Sequence, residues 1–172
     1  MSKVLAEDGR IYLRRLRVED DLSNYLEWIN DPEMNTYLSK KRKQSLGDLK
    51  SYIESHENDY LCGIFSKDND SHLGNVLVSR IDNSNNNCHI GIFVGKESWG
   101  KGIGTSAVDL LSGYVLETKG FHKITAGVTK DNIGSSRLFK KSGYTLEFVA
   151  KEEFKLGDTY IDNLYYTKYN SK

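Results

Sequence analysis

The hydrophobic positions change period several times along the chain, and each period predicts an element. Ile11-Tyr12-Leu13-Arg14-Arg15-Leu16 alternates as a strand does. From about Asp20 to Ile29, Leu22, Tyr25, Leu26 and Ile29 recur at helical spacing and share one face. Asn30-Asp31-Pro32, which holds the single proline, ends that helix in a turn. Ser45-Leu46-Gly47-Asp48 has the form of a capped helix start, with Leu46, Leu49 and Ile53 turned inward. Tyr60 to Phe65, Leu73 to Ile81 and His89 to Val94 read as strands. The asparagine-rich turn at 83–87 joins the last two into an antiparallel hairpin.

A glycine-rich turn then opens a long helix whose inward stripe is Ile103, Ala107, Leu110, Leu111 and Tyr114, with Gly120 as its stop. Lys123 to Thr129 is a strand rich in β-branched residues, and a short helix runs from Ile133 to Ser142 and ends at Gly143. Tyr144 to Phe154 and Tyr160 to Tyr169 are two closing strands around Leu156-Gly157-Asp158. Hairpins plus one β-α-β unit predict an α/β (α+β) domain, a mixed and mostly antiparallel central sheet with helices on both faces.

Composition narrows the class. A chain of 172 residues is the size of one domain, here 1–172, and buries roughly two-thirds of its unfolded surface. With 38% hydrophobic and 11% aromatic residues it is not a disordered sequence. Lys+Arg and Asp+Glu both number 24, so no excess charge points to nucleic acid or an anionic membrane surface. Two cysteines, Cys62 and Cys88, give no disulfide framework and no four-thiolate zinc site. The four histidines form no ligand pair, so no metal is expected. No run approaches the ~18 apolar residues of a membrane span, and the first residues lack a secretory core, so a cytoplasmic location is expected.

The segment with chemistry is Val94-Gly95-Lys96-Glu97-Ser98-Trp99-Gly100-Lys101-Gly102-Ile103-Gly104-Thr105. A strand ends, a glycine-rich turn follows, and a helix opens. Free N–H groups and the positive end of the helix dipole make such a terminus an anion site, and glycine lets a phosphate approach the backbone. Thr105 adds a hydroxyl and Lys101 a charge. A Walker-type loop is absent. Gly102, Gly104 and Ala107 meet the dinucleotide fingerprint in letters, but several residues separate them from the strand and a full βα segment lies upstream.

Trp99-Gly100-Lys101-Gly102-Ile103-Gly104 resembles the acetyl-CoA pyrophosphate loop of the GNAT superfamily of N-acetyltransferases, Q/R-x-x-G-x-G/A, with Trp99 at its first position. That variant resembles the branch with the ribosomal-protein alanine and several amino-sugar acetyltransferases. Asn132-Ile133-Gly134-Ser135-Ser136-Arg137-Leu138-Phe139-Lys140-Lys141-Ser142-Gly143-Tyr144 resembles a second family motif, N-x-x-S-x-x-x-[YF]-x-x-x-G-[FY]. Leu13-Arg14-Arg15-Leu16, Trp28-Ile29-Asn30-Asp31-Pro32 and the tail from Glu147 to Asp162 extend the likeness over nearly the whole chain.

The resemblance implies an acyl-CoA N-acyltransferase fold, acetyl-CoA as co-substrate, and direct transfer of acetyl to a primary amine. The acceptor is a small molecule such as an amino sugar, or a protein N-terminus. It implies that Ile92, Phe93 and Val94 bind the pantetheine arm as an added strand. Trp99 and the loop N–H groups from Gly100 to Thr105 hold the pyrophosphate, with Asn132, Ser135 and Phe139 also against the cofactor. Asn132 is equally suited to cap its helix, and both roles are compatible. A backbone N–H near Val94 polarises the thioester carbonyl. Phe139 stands where many relatives carry tyrosine and cannot donate a proton, so core packing suits it. Ser135, Ser136 or a late tyrosine is then the acid, or the thiolate leaves unprotonated. His89 stands where relatives carry glutamate. It is either the base, directly or through water, or an ordinary strand histidine. Cys88 faces the other side of that strand and is expected to be inert.

Trp28 is a packed helix residue or, with His89, part of the acceptor cleft. The basic run at 40–43 is a solvated loop or meets an anionic substrate. Arg137, Lys140 and Lys141 meet phosphates or coat an exposed face. The expected partner is a small-molecule or peptide amine, with a monomer or homodimer as the assembly. A non-catalytic CoA-binding sensor is the alternative, and a dinucleotide-binding oxidoreductase a more distant one.

Overall fold

The computed structural model describes residues 2–38 and 43–172. Of the basic run at 40–43, only Lys43 lies within them. The strands are β1 (Val4–Glu7), β2 (Ile11–Arg15), β3 (Tyr60–Ser66), β4 (His72–Asp82), β5 (Asn87–Val94), β6 (Lys123–Thr129), β7 (Thr145–Leu156) and β8 (Thr159–Tyr169). The helices are α1 (Ser23–Asn30), α2 (Leu46–Ser55), α3 (Ile103–Gly113) and α4 (Ile133–Lys141). One eight-stranded sheet has the order β1-β2-β3-β4-β5-β6-β8-β7. Every neighbouring pair is antiparallel except β5 and β6.

Alternation along the strands divides the side chains between two cores. Ile11, Leu13, Cys62, Ile64, Val76 and Val78 join Ala107, Leu111 and Phe139 on the side of α3 and α4. Leu61 and Phe65 join Tyr25, Trp28, Leu49 and Ile53 on the side of α1 and α2. Helices therefore cover both faces, as the periodicity predicts.

Several local expectations are corrected. The first helix begins at Ser23 rather than about Asp20. Asp20 is drawn into a turn instead: its carboxylate accepts Arg14 Nη1 and Nη2 at 2.9 and 3.0 Å and Arg17 N–H at 2.8 Å. The Ser45–Asp48 capping box forms, but Leu46 is 45% exposed. Periodicity assigns a residue to a face of a helix and says nothing about whether a neighbour covers it there. Beyond Gly113 the long helix widens into a π-type turn over 114–118 before Gly120, whose φ is +74°. The sequence reading missed β1, a four-residue edge strand with no fully buried side chain.

Candidate active site

β5 and β6 pair only over Asn87↔Lys123, Cys88↔Ile124 and His89↔Thr125, and then part. On its other edge β5 stays paired with β4 as far as Gly74↔Val94. Gly95 N–H donates to Leu73 O at 2.8 Å, which makes Gly74↔Val94 a non-hydrogen-bonded pair. By the two-residue repeat, Ile92 and Val94 both turn their backbone N–H and C=O away from β4 and into the gap. Trp99 Nε1–H donates to Val94 O at 2.8 Å. That bond occupies one group of Val94 and leaves its N–H facing the opening.

The glycine turn lies at the head of this gap. Gly102 is the N-cap of α3 with φ +76°, a left-handed conformation that glycine adopts without steric cost. Among the described residues no side chain caps α3, and no acidic residue lies in its first turn, so its leading N–H groups face an anion unopposed. Gly104 is needed for close approach: a Cβ there would lie 2.6 Å from Leu138 Cδ1 and 3.3 Å from Val94 Cγ2. Opposite, Asn132 caps α4, its Oδ1 accepting Ser135 N–H at 3.2 Å.

These elements enclose a cavity of about 520 Å³. It is lined by Ile92, Phe93 and Val94, by Trp99, Gly100, Gly102, Ile103, Gly104 and Thr105, and by Asn132 and Ser135, all from the sequence reading. Arg137 and Lys141 line it as well, whereas Lys140 does not. The reading missed Glu33, Met34 and Tyr37, which come from a strap after α1. The strap is tied at both ends: Lys96 Nζ meets Asp31 Oδ2 at 2.5 Å, and Tyr37 donates from its hydroxyl to Asp131 O at 3.2 Å. Beyond the Asp31-Pro32 turn nothing local marks these residues, since their place depends on contacts some 60 to 90 positions away. Ser98, Gly134 and Leu138 were also missed.

Ser136, a candidate acid in the sequence, is buried off the cavity, and Lys101, Phe139, Trp28 and His89 also lie away from its wall. Lys101 points outward and donates to Glu97 O at 2.6 Å. Phe139 is 2% exposed and packs edge-on against Tyr144, centroids 5.2 Å apart, because its face of α4 turns into the core. Trp28 is buried against Gly95, where a Cβ would lie 2.6 Å from its ring, and against His72 at 5.3 Å. His89 sits at the fork, on the sheet face opposite Cys88 and Ile90. Burial, and then the charges of Arg80 and Lys123, hold its imidazole below its usual pKa. Cys88 is buried in the core, and desolvation pushes its thiol up to about 12. Among the late tyrosines, Tyr166 is buried and Tyr165 donates to Glu153 Oε2 at 2.6 Å.

Residues 10–145 match the family described as the acetyltransferase (GNAT) domain. The chain is 29% identical over 164 residues to the probable N-acetyltransferase YjcK of Bacillus subtilis, covering 89% of this chain and 90% of that protein. It superposes on a spermidine N-acetyltransferase from Vibrio cholerae, solved with CoA and spermine, with a TM-score of 0.86 at 20% identity and 96% and 98% coverage. It also superposes on the ribosomal-protein-S5-alanine acetyltransferase of Vibrio fischeri, with a TM-score of 0.81 at 17% identity and 100% and 98% coverage. At those identities the two structures speak for the fold. A matched domain that spans the splayed strands, the glycine turn and α4 speaks for the family, so this chain belongs to the GNAT family of acetyl-CoA-dependent N-acetyltransferases.

Proposed function

We propose that the cavity binds acetyl-CoA and that the protein moves its acetyl group directly to the primary amine of a small molecule, such as an amino sugar, or of a protein N-terminus. One observation carries this reading: β5 loses β6 after His89 and offers unpaired backbone groups at Ile92 and Val94 to a cavity headed by the glycine turn. The pantetheine arm completes that edge as an added strand. The pyrophosphate sits on the free N–H groups at the start of α3, with Arg137 and Lys141 toward its negative charge.

The unprotonated amine attacks the thioester carbonyl. The N–H of Val94 or Ile92 stabilises the oxyanion, the tetrahedral intermediate collapses, and the C–S bond breaks. The amine proton leaves through His89, whose lowered pKa keeps it neutral and able to accept at pH 7. His89 lies three residues before Ile92, roughly 10 Å along the strand, so water bridges the transfer. Ser135, on the cavity wall, hands its hydroxyl proton to the departing thiolate and regains one from solvent in the same relay. Phe139 has no hydroxyl to do so and no access.

Thermal unfolding with acetyl-CoA, NADH and ATP in separate wells tests the reading, followed by free-thiol release over an amine panel. At ~100 times its dissociation constant, acetyl-CoA adds about 2.7 kcal/mol, which raises the midpoint of a chain this size by roughly 5–10 °C. A shift with NADH alone sinks the proposal. Binding of acetyl-CoA with no thiol release on any amine turns it into the sensor reading. His89→Gln is expected to lower kcat and remove the acidic limb of the pH–rate profile; an unchanged limb removes His89 as the base.

A further inference from the structure

The turn before β2 reaches the outer side of the glycine turn. Arg10 Nη1 donates to Lys101 O at 2.7 Å and Nη2 to Ser106 Oγ at 3.0 Å, with a longer 3.4 Å approach of Nη2 to Gly102 O. The Arg10 backbone is itself pinned, because Asp8 Oδ1 accepts the N–H of Arg10 at 2.7 Å and of Ile11 at 2.9 Å. In a planar trans peptide the C=O and the following N–H point to opposite sides. A Lys101 carbonyl held outward by a guanidinium therefore aims the Gly102 N–H the other way. Gly102 lines the cavity, and Lys101 does not.

We propose that Arg10 is a positioning residue for the cofactor: from outside the cavity it sets the peptide orientation of the glycine turn, and thereby the turn's grip on the pyrophosphate. Three features support this beyond simple bracing. The bond to Lys101 O is short and charge-assisted, so it holds one peptide plane firmly. Gly102, which has no Cβ to fix its backbone and is held at φ +76°, is the residue being oriented. The guanidinium also brings a positive charge to the same end of α3 as the positive end of its dipole. This inference rests on the acetyl-CoA reading above.

The test compares two donors, acetyl-CoA and S-acetylpantetheine, which lacks the pyrophosphate. Arg10→Ala is expected to raise Kd and KM for acetyl-CoA roughly tenfold or more, the effect of losing one hydrogen bond to a charged group. kcat at saturation and KM for S-acetylpantetheine stay as in wild type. Arg10→Lys restores part of the loss, since an ammonium keeps the charge but not the fork that reaches two acceptors. Ser106→Ala removes one anchor of the guanidinium and shifts KM for acetyl-CoA in the same direction by less, which keeps the test open if Arg10→Ala folds poorly. Equal weakening toward both donors would show a merely structural role and overturn the proposal, as would an unchanged KM for acetyl-CoA. Wild type that fails to bind acetyl-CoA overturns the functional reading first, and the wild-type isotherm separates that failure from a failure of Arg10.

Discussion

Gly104 shows how little room a single position leaves at this site. Its missing Cβ is the space into which Leu138 and Val94 pack, and all three residues line the cavity. Gly104→Val is expected to push Leu138 into the cavity, to cost about 1–3 kcal/mol by overpacking, and to weaken acetyl-CoA binding. Calorimetric titration and a melting curve check both; unchanged affinity would mean that the turn does not seat the cofactor. His89 gives a residue-scale prediction of the opposite kind, in charge rather than volume. Burial and the positive charges of Arg80 and Lys123 disfavour its imidazolium. Removing Arg80 removes one repulsion, so Arg80→Ala raises the pKa of His89. The acidic limb of the pH–rate profile then moves to higher pH. A limb that moves down or stays in place contradicts the assigned proton acceptor.

At the scale of elements, the site is made by where pairing stops. β5 is held by β4 along its length and by β6 over three residues, so its second half is an edge inside a sheet. An edge of this kind invites another chain to pair with it, and in the proposed function the pantetheine arm takes that place. The turn that leads into α1 depends on one carboxylate in a comparable way. Asp20 sits between the Arg14 guanidinium and the N–H of Arg17. Burial pushes its pKa up, but the Arg14 and Arg17 hydrogen bonds outweigh it and the net shift is downward. A depressed carboxylate contributes stability above its unfolded pKa of about 3.9, and that contribution is lost as pH falls through its lower folded value. Asp20→Ala leaves Arg14 largely buried without its partner, and is expected to cost about 1–3 kcal/mol near neutral pH. Urea denaturation at pH 7 and at successively lower pH through the acid range reads this. A penalty equally large after the carboxylate is protonated would show that packing, not the ion pair, is responsible.

Across the whole molecule, the α1–α2 side carries a buried histidine that couples stability to pH. His72 is 8% exposed, stacked on Phe65 at 5.1 Å, with its Nε2 at 2.8 Å from Asn75 Oδ1. Its Nδ1 and Asn75 Nδ2 have no partner among the described residues. Desolvation outweighs the hydrogen bonds from its surroundings and lowers its pKa. The unfolded chain therefore binds the proton first as pH falls below about 6.5, and stability declines from there down to the folded pKa, by at most about 1.4 kcal/mol per pH unit for one proton. His89 is shifted in the same direction and adds to the slope. His72→Asn is expected to flatten the dependence of unfolding free energy on pH between 5 and 7. An unaltered slope would assign the whole effect to His89.

Local chemistry made much of this molecule legible in advance. The strands from Tyr60 to Val94, β6, the Ser45 cap and the Asn132 cap follow from side-chain period and from polar groups that bond within three residues. The glycine turn is legible for a similar reason, because its left-handed positions, Gly100 and Gly102, call for glycine in the sequence itself. Tertiary contact decided the rest. Asp20 leaves the helix because Arg14 claims it, and Leu46 is exposed because none of the described residues covers it. Phe139, Trp28 and His89 share the motifs of the site but not its wall, since a face of a helix or strand is local and depth is not. The strap with Glu33, Met34 and Tyr37 enters the cavity, and Arg10 meets Lys101 across 91 positions of sequence. Such meetings depend on how the sheet brings distant segments together, and a one-dimensional pattern holds no record of that distance.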